Sequence, residues 1–146
     1  WVFSETLRPG FPNLRPREAE LGKAFEAGGL NFEPLDLDHH VIPNMGLLVS
    51  ETGRPRPALA YCIDVKRIPE ATLEKLRGVD VLVLDMLREA PHPTHLSLAE
   101  ALALVKRIGP RQTYFSHMAH EVDHAAAEAK LPPDIRLAYD GLILEL

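Results

Sequence analysis

Cysteine is almost absent: Cys62 stands alone, so no disulfide can form within the chain, and nothing in its cysteine usage calls for an oxidising compartment. Positive charge is also in deficit, with 16 Lys and Arg against 21 Asp and Glu. The net charge of −5 leaves no basic footprint, which argues against nucleic acid as a partner. No apolar run approaches the roughly 20 residues that a membrane span needs. The chain shows no signal-peptide pattern, and it opens at Trp1 without an initiator Met. These absences point to the cytoplasm, and the abrupt start reads as a fragment of a longer protein. Asn and Gln are scarce too, three and one against 13 Pro, a balance that leans toward a thermophilic source.

What is present amounts to one domain. A length of 146 residues suffices for a sizeable core but not for two comfortable domains. Hydrophobic residues at 46% and charged residues at 25% are ordinary for a soluble globular chain, so neither disorder nor a membrane class is indicated. The expected organisation is a single, partial domain over 1–146. Residues 1–31 form its irregular or helical lead-in, and 32–146 its sheet-and-helix core.

Within the lead-in, residues 1–17 carry Pro9, Gly10, Pro12 and Pro16 and read as an irregular connection. Residues 18–27 suit a short helix with Leu21, Ala24 and Phe25 on one face, stopped by Gly28-Gly29. Strands are expected over 32–37, around 47–50, over 58–63, over 79–84 and over 112–116, with a short helix over 69–77. Ser97 and Glu100 form a capping box, and Leu96 and Ala101 are spaced as its hydrophobic staple. The helix they open should run on Leu98, Ala101, Leu102, Val105 and Ile108 until Gly109-Pro110 ends it. A further helix is expected over 120–130. A closing hairpin over 136–146 should turn on Asp140-Gly141, in the type I′ geometry that this dipeptide favours. Alternating strands and helices between two hairpins indicate an α/β layered domain with a mixed sheet.

Three separated residues carry the chemical signal: His39, Asp64 and His117, each just past a predicted strand. Strand ends can gather distant ligands at one rim of a sheet, and His with carboxylate suits a hydrolytic cation such as zinc or manganese. Each also has an ordinary reading, His117 as a capping or hydrogen-bonded imidazole and Asp64 as a turn-capping carboxylate. His39 and His40 are adjacent on an extended segment, so at most one faces the site. His95, in the loop His92-Pro93-Thr94-His95, suits proton delivery to a leaving group, beside a helix N-terminus that favours anions; a plain surface histidine is the alternative. His120-Glu121-Val122-Asp123-His124 satisfies the H-E-x-x-H pattern of zincin metalloproteases, but no third His follows it.

In order, the segments Tyr61–Asp64, Val81–Asp85 with His92-Pro93-Thr94-His95, Phe115–His120 and Tyr139-Asp140-Gly141 resemble the metallo-β-lactamase superfamily. The similarity runs from about residue 33 to the C-terminus and is greatest to the PhnP-like phosphodiesterases, of the phosphoribosyl cyclic phosphodiesterase kind. It implies an α/β fold, the C-terminal half of an αββα sandwich with a mixed sheet and flanking helices. It implies two divalent metal ions, zinc or manganese, bridged by Asp64 and ligated by His117 and His39. His39 is preferred to His40 because its distance to Gly46 matches the family's His-Gly…Leu-Gly segment; His40 replaces the usual Gly, which leaves the choice open. His95 would act on the phosphoester as general acid or phosphate contact, with Thr94 and His120 on the substrate side or behind a ligand. The implied reaction is attack of a metal-bridging water on a small phosphodiester.

One departure is large: the family's His-x-His-x-Asp-His motif, the main source of ligands, has no counterpart here. A preceding N-terminal half of the same protein is therefore an expected partner. This chain alone is expected to bind metal weakly and be inactive, and its exposed core face can drive self-association. Two further readings stand beside this one: a zincin-like protease on His120, Glu121 and His124, and a non-catalytic partner domain.

Overall fold

The computed structural model describes residues 18–40, 42–53 and 56–145. The irregular connection expected over 1–17 lies outside them. Among the described residues, seven strands form one mixed sheet in chain order: β1 (Phe25–Ala27), β2 (Leu30–His39), β3 (Ile42–Glu51), β4 (Leu59–Cys62), β5 (Val81–Asp85), β6 (Gln112–Ser116) and β7 (Ile135–Leu137). The first four pair antiparallel, and β4 through β7 pair parallel. Each parallel step is bridged by a helix: α1 (Glu70–Leu76), α2 (Leu98–Ile108) and α3 (His124–Glu128). Right-handed crossovers that all advance in one direction put their helices on one face.

Two rows of paired residues show the consequence. Leu48, Ala60, Leu82, Thr113 and Ile135 align across β3 to β7 and are all buried, packed with Leu73, Leu76, Ala101, Val105 and Ile108 of the helices. The neighbouring row, Leu47, Tyr61, Val83, Tyr114 and Arg136, lies on the opposite face, where no residue of the row is fully buried. Tyr61 is 47% exposed and Met45, also on that face, 44%. The structure is thus α/β with a mixed sheet, as expected, and its helices cover one side.

The capping box forms as read from the sequence. Ser97 Oγ accepts from the Glu100 backbone N–H, and Glu100 Oε2 accepts from the Ser97 N–H at 2.8 Å. Leu96 and Ala101 are both buried in the core. Three other expectations need correction. Residues 18–27 form no helix: Gly28 and Gly29 both have positive φ, 59° and 80°, and make the tight link of a β1–β2 hairpin. Phe25 then stacks on Phe32, with centroids 5.6 Å apart, so cross-strand pairing overrides local helical spacing, and the described part of the lead-in, from residue 18, is not helical. The expected helix over 120–130 shrinks to α3, because Asp123 caps it by accepting from the Ala126 N–H at 2.9 Å. The closing hairpin does not form. Gly141 has φ 87° but Asp140 is not among the positive-φ residues, so the turn is not type I′, and β7 pairs parallel with β6 instead.

Gly46 sits where the backbone of β4 and the Leu37 side chain come close to β3. A Cβ there would lie 2.9 Å from the Tyr61 carbonyl oxygen and 3.0 Å from Leu37 Cδ1. Backbone cannot retreat cheaply, so Gly46→Ala should destabilise the fold by roughly 1–3 kcal/mol. Urea denaturation reads this directly, and an unchanged midpoint would refute the close-packing account.

Candidate metal centre

Strand direction builds the site. β2 runs antiparallel to β3 and β3 antiparallel to β4, so β2, β4, β5 and β6 all point the same way. Their C-terminal ends share one rim, where His39 closes β2, Asp64 follows β4, Asp85 closes β5 and His117 follows β6. Open α/β sheets collect ligands at this edge.

The side chains converge. His117 Nε2 lies 2.9 Å from Asp64 Oδ1, and His95 Nδ1 lies 2.8 Å from Asp85 Oδ2. The His95 ring stacks on His117 at 4.8 Å between centroids and meets the His39 ring edge-on at 4.6 Å. His39 Nδ1 lies 2.8 Å from the Thr94 carbonyl oxygen. A carbonyl can only accept, so Nδ1 is the donor here, and it is the neutral ring's Nε2 that would be offered to a metal. His40 is exposed, its backbone N–H bonded to Asp38 Oδ1, so His39 is the member of the pair that faces the cluster. Thr94 contributes its carbonyl, while its hydroxyl sits 3.3 Å from His92 Nδ1. His120 is exposed and makes no hydrogen bond or ring contact with the cluster.

The backbone at the rim is bent to aim these groups. Asp64 and His117 have φ of 56° and 63°, a left-handed conformation that costs a residue with a Cβ about 1–2 kcal/mol. Such strain persists only where neighbours hold it, and it concentrates at functional sites. At Asp64 the holder is Asn44, whose Nδ2 donates to the carbonyls of Ile63 and Asp64 at 2.8 and 2.7 Å.

Four groups, Asp64, Asp85, His95 and His117, each place one ligand atom within 4.8 Å of all the others. Asp85 is fully buried. One of its oxygens serves His95 and the Val65 N–H, while Oδ1 has no hydrogen-bond partner among the described residues. An unsatisfied buried carboxylate oxygen beside two imidazoles is the donor set that a divalent cation completes, so these residues fit a metal. Sequence reading passed over Asp85 as a strand end. The available signal was its likeness to Asp64, since each acid closes an apolar strand.

The electrostatics around the loop are polarised. Burial pushes the Glu100 carboxyl up, but bonds from Lys66 and Ser97 outweigh it and bring it down to about 2. Burial, and then the charge of His95, hold the His92 imidazole below its usual range. Burial raises the Cys62 thiol to about 12, so it packs as an inert small hydrophobe. The zincin arrangement is absent: His120 and Glu121 lie in a turn and His124 starts α3, so the two imidazoles do not share a helical face.

A family model described as a β-lactamase superfamily domain matches residues 2–118. The chain belongs to this family. A solved structure described as a new diphosphatase from the PhnP family is 36% identical, with a TM-score of 0.76, over 86% of this chain and 47% of that one. Zn(2+)-bound PqqB from Methylobacterium extorquens shares the fold at 18% identity and a TM-score of 0.67, over 88% of this chain and 55% of its own. Among curated proteins, an octanoyltransferase of Porphyromonas gingivalis (strain ATCC BAA-308 / W83) is 29% identical over 144 residues, 97% of this chain and 28% of that protein. The superfamily chain thus spans about half of the solved relatives and just over a quarter of the curated one. No helix among the described residues is long and apolar enough to cross a membrane.

Proposed function

We propose that the protein carrying this chain is a metal-dependent phosphoester hydrolase acting on a small phosphodiester or diphosphate. The observation that carries the reading is the convergence of His39, Asp64, His95 and His117 at one rim, with His39 Nδ1 engaged by the Thr94 carbonyl. The similarity to a PhnP-family diphosphatase favours phosphorus over other electrophiles. His39, Asp64 and His117 would hold the metal; Asp64 and His117 belong to the four-residue group, His39 stands beside it through its ring contact with His95, and Asp85 Oδ1 is a further available donor. Bound divalent ions would supply a water of lowered pKa and charge for the phosphoryl oxygens.

Residues of this chain would do the rest. Asp85 orients His95 through Nδ1, which leaves Nε2 to hand a proton to the departing alkoxide. Thr94 holds the His39 ring through its carbonyl, and His120 would face the substrate from the adjoining turn. The remaining ligands would come from a preceding half of the same polypeptide, which would also cover the open sheet face around Met45 and Tyr61.

The test is metal analysis of the intact protein alongside cleavage of bis-p-nitrophenyl phosphate. Turnover that depends on bound zinc or manganese, and is lost to a chelator, is the expected result. A metal-replete protein inert toward phosphodiesters and diphosphates would sink the proposal. A second reading, hydrolysis of an acyl ester or thioester, draws on the octanoyltransferase relative. It predicts that p-nitrophenyl octanoate is cleaved where the phosphodiester is not.

A further inference from the structure

Lys66 follows Asp64 by two residues, yet its Nζ reaches a different loop. It donates to the His95 carbonyl oxygen at 3.2 Å and to Glu100 Oε1 at 2.6 Å, with the side chain only 17% exposed. Glu100 uses its other oxygen on the Ser97 N–H at 2.8 Å and the Ser97 Oγ–H at 2.6 Å. One ammonium therefore ties together three pieces of chain: the bend after β4 that aims Asp64, the loop that carries His95, and the first turn of α2. At the same bend the Val65 N–H donates to Asp85 Oδ2, the oxygen that also holds His95 Nδ1.

We infer that Lys66 is a positioning residue that locks the His95 loop to the Asp64 bend, so that imidazole and carboxylate keep one relative placement. Its catalytic consequence rests on the phosphoester-hydrolase reading; the mechanical part does not. Lys is suited to the task because a single ammonium offers several donors to a carbonyl and a carboxylate at once. The Lys66–Glu100 pair also explains why the capping box of α2 carries a carboxylate held so far below its ordinary range. Displacement of a reacting group by about 1 Å can cost on the order of 100-fold in rate, so a tether of this kind bears on turnover without touching substrate.

The test compares Lys66→Met, Glu100→Gln and the double variant in the intact protein. In Lys66→Met, amide hydrogen exchange at Leu87, Thr94, Ser97 and Leu98, each bonded at this loop, should quicken about tenfold or more while β5 and β6 amides hold. Glu100→Gln should quicken the same amides, and the double variant should add little, because both changes cut one tether. Turnover of the phosphodiester should fall about 10- to 100-fold with KM and metal content unchanged. Additive effects, or unchanged exchange in the loop, would overturn the inference. Should Lys66→Met fail to fold, Glu100→Gln alone decides the matter: faster exchange in the loop supports the tether, and unchanged exchange overturns it. If the unaltered protein cleaves no phosphoester, the functional reading falls while the exchange result still decides the tether.

Discussion

Asp64→Ala is expected to strip the protein of bound metal and of turnover together. The carboxylate sits at the meeting point of the rim, 2.9 Å from His117 Nε2 and inside the four-residue group that could hold an ion. Its backbone is held left-handed by two bonds from Asn44, so the protein sustains a strained residue there for the sake of where the side chain points. The neighbouring imidazoles cannot replace it, since each offers one lone pair where a carboxylate offers two oxygens, and Asp85 already commits Oδ2 to His95 and Val65. Groups that merely support a ligand cost about 10- to 100-fold in metal affinity or activity when removed, so loss of the ligand itself should exceed 100-fold. Metal content by elemental analysis and phosphodiester turnover are the two readouts. A variant that keeps its metal and its rate would remove Asp64 from the centre. Stability should fall only modestly: Asp64 is half-exposed, but Ala tolerates φ 56° less well than Asp does.

His95→Ala should separate the two properties that Asp64→Ala loses together. His95 stands between His39 and His117, and its Nδ1 is engaged by the buried Asp85. Orientation by a carboxylate is the arrangement of an imidazole used for proton transfer, worth typically 100- to 10,000-fold in rate. The expected outcome is a fall of that size in turnover with metal content retained. Substrates with better leaving groups should suffer less, because they need no protonation. The opposite outcome is equally informative. If metal is lost along with rate, His95 is a ligand, as its membership of the four-residue group allows, and the proton donor must be sought elsewhere.

The fate of individual elements shows what a linear reading can reach. The β6 strand was legible to the residue, and the capping box of α2 was legible with its partners, because both are set by contacts within a few positions. Segments 18–27 and 120–130 depart from their helical pattern for the complementary reason. Helical spacing in the first yields to pairing with β2, and Gly28-Gly29, which can end a helix, instead turns a hairpin. In the second, Asp123 is a capping signal inside a stretch whose spacing suits a longer helix. The closing hairpin fails because Asp-Gly adopts a turn other than the one it favours, while β7 finds a parallel neighbour 22 positions away in the Thr113–Ile135 pair.

From the sequence alone came the residue types at the strand ends, the superfamily and the expectation of a shared rim, since strand-final His and Asp are local features. It could not separate His39 from His40, nor find Asp85, Asn44 or Lys66 as members of the site. Those assignments depend on contacts across 10 to 55 positions, such as His39 to Thr94 and Asp85 to His95. Only the sheet's register and direction decide them, because these fix which strand ends meet and which way each side chain points.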